Sequence, residues 1–360
     1  MEPAPKKLQE ENKTQSTKDR QSQAVEIPTR NSTLLCWCSG DGEDSKASIQ
    51  NYQTREPYAV FPGVQLNLPT AYSTVVHVKE IPGSSFLIVA KYSLNESASF
   101  KIVDYSSQKI TDVFSFEEVA GWVGNTEVCV NTPRNLMALI SLGEKTAYHL
   151  FDTNSWSLLR KSPWVPQFGK GNVVTMDISP DGKKIAMVNQ KALCVISDIN
   201  TDNLDVQYTI RSRGVTSKGF PDKVRCRWGE PGGSDLFLAH DSSYLNIFDV
   251  EKKNLLLKSS LSLGNNVIWI DKSPSDNNLL ALSGCGVVHI FDRREPKATK
   301  KFESIYSKRP IYCVRWSPDG KLLATASEDT YAKIFDLRTQ KVIFSEQTAD
   351  EKWALSACFL

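Results

Sequence analysis

The sequence predicts an all-β protein, a seven-bladed β-propeller whose first blade is shared between strands from the two ends. Two observations predict it. A strand-like stretch closed by Asp recurs at Val103-Asp104, Phe151-Asp152, Ser197-Asp198, Phe248-Asp249, Phe291-Asp292 and Phe335-Asp336, at spacings of 43 to 51 residues. Between these landmarks, short apolar stretches alternate with Pro, Gly and Asp turns at matching places, the pattern of four antiparallel strands per unit. A β-sandwich explains this less well, because it does not need units of even length with the same turn at the same place.

The clearest unit runs from Ile311 to Ser345. Strand a is expected at Ile311 to Trp316, followed by the turn Ser317-Pro318-Asp319-Gly320. Strand b follows at Leu322 to Thr325, strand c at Tyr331 to Phe335 and strand d at Val342 to Ser345. Val173 to Ile178 with Ser179-Pro180-Asp181-Gly182, Val224 to Trp228 with Gly229-Glu230-Pro231-Gly232, and Val267 to Ile270 with Ser273-Pro274-Ser275-Asp276 open three more units. The units from Thr74 and Glu127 carry Pro82-Gly83 and Pro133-Arg134-Asn135 at the same turn, which gives six complete blades.

The ends supply the seventh. Thr33 to Cys38, Ala47 to Tyr52 and Tyr58 to Phe61 read as strands b, c and d without a strand a. Trp353 to Leu360 reads as a strand a with nothing after it. Joining them removes the open edges of an unfinished circle. The alternative is six blades with ragged ends. The expected division is a propeller over residues 33–360 and a disordered tail over 1–32, a segment rich in Lys, Gln, Glu, Ser and Thr.

This pattern resembles the WD-repeat propeller family over about residues 33–360. Phe248-Asp249, Phe291-Asp292 and Phe335-Asp336 match the family's terminal Trp-Asp, with Phe in place of Trp. The family's Gly-His pair is missing, and His149 and His289 lie three residues before the terminal Asp. The family's buried Asp-His-Ser/Thr-Trp network is therefore expected to be absent or altered.

Composition narrows the function. The chain has 360 residues and a formal net charge of +2, so no global field draws it to nucleic acid or an anionic membrane. No apolar stretch is long enough to span a bilayer, and residues 1–32 lack the basic start and apolar run of a secretory signal. Most of the eight cysteines sit in apolar strand patterns, which suits the reducing cytoplasm or nucleus. The four histidines fall in four different blades. There is no HExxH or CxxC pattern, no Gly-rich phosphate loop and no nucleophile elbow, and Cys36-Trp37-Cys38 has the spacing of one strand face. The expectation is a non-enzymatic scaffold or adaptor that binds one or more proteins, with no cofactor and no metal.

Several residues stand out as partner contacts. Trp164, Val165, Pro166 and Phe168 form an unusually apolar connection, read either as a partner contact or as local packing. Arg211, Arg213 and Lys218, followed by Lys223, Arg225 and Arg227, lie on or beside one connection between blades. Lys300, Lys301, Lys308 and Arg309, followed by Arg315, lie on or beside another. Together they read as a positive rim that can hold a phosphopeptide, a phosphoinositide or nucleic acid, or as an ordinary solvated surface. Phe291-Asp292-Arg293-Arg294-Glu295 departs from the Phe-Arg-Arg-Gly motif of phosphoinositide-binding propellers. Trp228, Trp269, Trp316 and Trp353 recur near strand a, and the expectation is one shared position that packs blade against blade. Lastly, Phe291-Asp292-Arg293-Arg294 and Phe335-Asp336-Leu337-Arg338 resemble the Trp-Asp-x-Arg element of receptors that dock on the propeller adaptor of cullin-4-type ubiquitin ligases. That resemblance assigns the adaptor contact to Arg294 and Arg338.

Overall fold

The computed structural model describes residues 33–39, 46–62, 73–80, 86–93, 99–107, 109–115, 128–140, 146–163, 165–168, 173–189, 193–201, 204–209, 224–229, 235–240, 244–260, 267–295, 300–302, 309–348 and 352–360. The expected tail, residues 1–32, lies outside them. The described chain forms seven four-stranded antiparallel sheets.

Sheet 1 has the order Ala354–Phe359, Leu34–Ser39, Lys46–Asn51, Pro57–Pro62, so a strand from late in the chain pairs with three early ones. The other sheets run in chain order, and their strands are called a to d. Sheet 2 holds Ser73–Glu80, Phe86–Ser93, Ser99–Asp104 and Lys109–Ser115, and sheet 3 holds Val128–Asn131, Leu136–Ile140, Thr146–Asp152 and Leu158–Pro163. Sheet 4 is Val173–Ile178, Lys184–Asn189, Leu193–Asp198 and Leu204–Thr209. Sheet 5 is Arg225–Trp228, Asp235–His240, Tyr244–Asp249 and Asn254–Ser260. Sheet 6 is Trp269–Lys272, Leu279–Ser283, Val288–Asp292 and Lys300–Phe302. Sheet 7 is Ile311–Trp316, Leu322–Ser327, Tyr331–Asp336 and Lys341–Gln347. The observed strands start or stop one to two residues from the sequence expectation at several ends, because the turn hydrogen bonds set the ends rather than apolarity alone.

The sheets pack face to face. Strand b is buried on both faces: Met137 to Ile140, Ile185 to Val188, Leu236 to Ala239 and Leu280 to Leu282 are all closed to solvent. Each large apolar side chain so placed contributes about 1.5–3 kcal/mol of transfer free energy. The a strands touch their neighbours in the order of sheets 3, 4, 5, 6, 7, 1 and 2. The d strands form the outside, where Leu159, Leu255, Leu256 and Ile343 are exposed.

Three local devices repeat. At the a–b turn, Gly182 and Gly320 both take φ +70°. Their N–H groups donate to Ser179 O (2.8 Å) and Ser317 O (2.9 Å). In the same two turns Asp181 and Asp319 accept from the hydroxyls of Ser179 and Ser317, each at 2.6 Å. A side chain at Gly320 would run into Ser275 of the preceding sheet's turn, so the glycine serves close approach as well as φ. At the c–d turn, the recurring Asp accepts backbone N–H groups two or three residues on. Asp152 takes Asn154 (2.6 Å) and Ser155 (2.9 Å), Asp198 takes Asn200 (2.7 Å), and Asp336 takes Arg338 (2.8 Å). Sheet 1 has the same turn with Asn51 as acceptor, from Gln53 (2.9 Å) and Thr54 (3.0 Å). The third device is a bulge. The c–d register slips just before the turn residue in sheets 1, 3, 4, 5 and 7. Four residues after the acceptor, Arg55, Trp156, Lys253 and Gln340 all adopt positive φ. Trp156 therefore belongs to the repeated c–d turn.

Candidate functional site

The two arginines assigned to an adaptor contact sit on equivalent c–d turns and differ in what they touch. Arg294 is pinned. Its guanidinium donates to Asp292 through Nε (2.9 Å) and Nη2 (2.7 Å), and Nη2 also reaches Asp276 (3.0 Å). Those contacts hold the Asp292 carboxyl below the usual carboxylate range, with the Arg294 hydrogen bond as the main favourable cause. Arg293 points elsewhere, pairing with Asp235 on strand b of sheet 5 at 2.7 Å. Arg338 is exposed, and its side chain makes no ion pair among the described residues. Its backbone N–H completes the Asp336 turn, and the Thr339 and Arg338 N–H groups help hold that carboxyl below its ordinary value.

The apolar connection resolves toward packing where it is described. Phe168 is 2% exposed, in a short 3-10 turn, and sits among Val165, Val173, Ile178 and Tyr148. Trp164 lies outside the described residues, as do Arg211, Arg213, Lys218 and Lys308. Arg309 is exposed and pairs with Glu328 at 3.0 Å, while Glu328 also accepts from the Tyr312 hydroxyl.

Arg225, Arg227 and Arg315 require a correction. The sequence expectation is a positive rim or an ordinary solvated surface, yet they are 1%, 7% and 8% exposed on strands a of sheets 5 and 7. Their Cζ atoms lie 5.3, 5.6 and 4.8 Å from the centre of the Trp269 ring on strand a of sheet 6. Each such contact is worth up to about 2 kcal/mol when desolvated. Arg225 and Arg227 donate to the carbonyls of Val224 and Cys226, both at 2.8 Å. Arg315 pairs with Asp271 Oδ1 at 3.2 Å.

The shared tryptophan position also needs correcting. Trp228 and Trp316 end strand a directly before the turn, Trp269 begins its strand, and Trp353 precedes strand Ala354–Phe359 and is 54% exposed against Tyr312. Only the first two are equivalent, and both are held by an aspartate of the preceding sheet. Asp177 Oδ2 accepts Trp228 N (2.8 Å) and Asp177 O accepts Trp228 Nε1 (2.9 Å). Asp271 repeats this with Trp316, at 3.0 and 3.3 Å. The signal was present in the sequence: Asp-x-Ser-Pro opens the turns of sheets 4 and 6, and Trp precedes the turns of sheets 5 and 7.

The strand-c histidines are interior. Burial, with Lys161 nearby, lowers the His149 pKa to about 4. Burial also pushes the Cys36 and Cys38 thiols up, which makes them poor nucleophiles. Among the described residues, no group of three or more His, Cys, Asp or Glu side chains is placed to hold a metal ion. No helix among them is long and apolar enough to cross a membrane.

Comparison with known proteins adds to this geometry. A family model described as WD domain, G-beta repeat matches residues 300–336, which covers strand d of sheet 6 and strands a to c of sheet 7. Apoptotic protease-activating factor 1 of Danio rerio is 27% identical over 113 residues, 31% of this chain and 9% of that protein. The chain thus carries a WD40-like repeat within seven repeating antiparallel sheets, and it matches only a small part of that relative's length.

Proposed function

We propose that residues 33–360 close into one seven-bladed propeller that acts as a non-enzymatic protein-interaction platform in the cytoplasm or nucleus. Closure rests on sheet 1, where Leu35 pairs with Phe359 and Cys36 with Cys358. Residues 1–32 form a tail outside the ring. One observation carries the interaction reading. The interior strands are closed, while paired large apolar side chains stand exposed on strand d of sheets 3, 5 and 7: Leu158 and Leu159, Leu255 and Leu256, Val342 and Ile343. Exposed apolar side chains on a rigid outer rim suit contacts with other proteins. The test is affinity purification of the full chain from native cells, beside a Leu255→Ser, Leu256→Ser variant with the same melting temperature. Partners captured by the parent and lost by the variant support the reading, and recovery of only the monomer overturns it.

A second reading, docking on the propeller adaptor of a cullin-4-type ligase, is favoured by the exposed Arg338. Arg294 speaks against it, because its fork is already taken by Asp292 and Asp276. Adaptor binding by the parent against Arg294→Ala with Arg338→Ala decides it. Unchanged binding by the folded double variant removes the assignment. Phosphopeptide, phosphoinositide or nucleic-acid binding on a basic face would rest on Arg211, Arg213, Lys218 and Lys308. Of the connection residues, Arg309 is neutralised by Glu328.

A further inference from the structure

We propose that Cys36 and Cys358 form a thiol-oxidation site, where a small-molecule disulfide of the glutathione class converts the pair to a cross-strand disulfide that staples Ala354–Phe359 to Leu34–Ser39. The site rests on the pairing inside sheet 1 and does not depend on the interaction reading. Cys36 lies directly opposite Cys358 in that pairing. Leu360 N donates to Leu34 O at 3.1 Å, and hydrogen-bonded pairs recur every second residue, so Cys36 and Cys358 are such a pair. Their Cα atoms are then about 5.5 Å apart, inside the roughly 4.4–6.8 Å that a disulfide spans. Both thiols stand on one face of the sheet and hydrogen-bond to each other. Both are free thiols in the structure.

Register selects this pair from the neighbouring thiols. Cys38 shares the face, but Ser356 stands opposite it. Cys313, on strand a of sheet 7, donates to Ala357 O at 3.5 Å and accepts from Ser356 Oγ at 3.8 Å. While sheet 1 is assembled the pair is shielded, because both residues are buried and burial pushes the Cys36 thiol up. Release of Ala354–Phe359, a strand at the end of the chain, uncovers both thiols. Cys358 then gives its proton to water, and its thiolate attacks one sulfur of glutathione disulfide. The old S–S bond breaks, and one glutathione leaves with the electron pair and takes up a proton. The glutathione left on Cys358 is too large for a buried position, so the strand re-pairs only as Cys36 replaces it. The Cys36 thiolate attacks the Cys358 sulfur and expels the second glutathione. Two protein thiols are oxidised and one small disulfide is reduced to two thiols. The product encloses sheets 2 to 7 in one covalent loop, which restricts the unfolded chain. Side chains of a hydrogen-bonded pair stand further apart than those of the other class, so the bond carries strain and excess thiol reverses it.

Equilibration of the full chain with glutathione disulfide tests this, followed by an acid quench, blocking of free thiols with N-ethylmaleimide and peptide mass mapping. The expected result is a dominant Cys36–Cys358 cross-link. The oxidised chain should melt at least about 3 °C above the reduced one, and dithiothreitol should remove both the link and the rise. Cys36→Ala and Cys358→Ala should each abolish the rise that glutathione disulfide produces, and Cys38→Ala should retain it. If the alanine variants do not fold, the map and the melting shift of the parent decide the matter. Absence of an intramolecular disulfide, a dominant link through Cys38 or Cys313, a persistent glutathione adduct in place of the link, an oxidised chain that melts no higher than the reduced one, or a full rise in folded Cys36→Ala each overturns the proposal.

Discussion

Arg294 and Arg315 are close in sequence, carry the same group and live in opposite surroundings. Arg294 stands on a turn with more than half its side chain in water and two aspartates on its guanidinium, one of them only two residues away. Arg315 lies on an inner strand with about a tenth of its side chain exposed, sharing one aspartate with a tryptophan N–H and facing two further arginines across Trp269. At the rim, water screens charge and local sequence supplies the partner, so an arginine there settles its own account within one turn. In the interior, Arg315 takes its carboxylate from another sheet. The comparison teaches that the c–d turns can vary at little cost, while the a strands are coupled across sheets.

That contrast can be broken from the inside outward. The largest effect is expected from removing Lys352–Leu360, which takes strand a from sheet 1 and uncovers buried Leu35, Cys36 and Trp37. The cooperative melt should disappear in calorimetry, whereas removing residues 1–32 should shift Tm by less than about 2 °C. Tm changes of equal size would contradict the closed ring. Next, Asp271→Ala deprives Arg315 of its carboxylate and Trp316 of its acceptor, and should cost about 2–3 kcal/mol in urea unfolding. A loss below about 1 kcal/mol would show that the inner charges are well solvated.

His149 sharpens the interior side through pH. Its folded pKa, about 4, lies below the unfolded value of about 6.5. The unfolded chain therefore takes up a proton before the folded one does. The associated stability is complete above pH 6.5 and is lost as pH falls through the window down to about 4. His149→Gln should flatten the stability profile across that window, and an unchanged slope would place the imidazole in water. Rim changes come last. Asp292→Ala should cost about 1 kcal/mol or less, because the turn is solvent-screened. Arg338→Ala should leave Tm unchanged.

The sequence carried the local devices well. An Asp that caps its own turn needs only the next three residues, and Ser-Pro-Asp-Gly needs four, so both could be read along the chain. The copy in sheet 1 escaped because Asn51 replaces Asp, although an amide oxygen accepts the same N–H bonds. The interior arginine cluster was far less legible. The alternation Arg225-Cys226-Arg227-Trp228 reveals that the two arginines share a strand face, but not that this face meets Trp269 and Arg315. Contacts between sheets depend on which strands lie innermost, and charge along a connection looks the same whether it ends in water or among tryptophans. The tryptophan register differs for a related reason: all four lie near strand a in the sequence, but strand position separates Trp269 and Trp353 from Trp228 and Trp316.

The pairing of Leu34–Ser39 with Ala354–Phe359 has a consequence for synthesis. A growing chain makes the second, third and fourth strands of sheet 1 first and must carry them until every other sheet has been made. Throughout that interval the Leu34–Ser39 edge offers unpaired N–H and C=O groups beside buried-type side chains, a surface that invites the wrong strand. That edge stays open during translation until the six-residue strand Ala354–Phe359 is made. A ribosome that stalls shortly before Ala354 would leave sheet 1 with one open edge, the kind of species a chaperone can hold and a protease can remove.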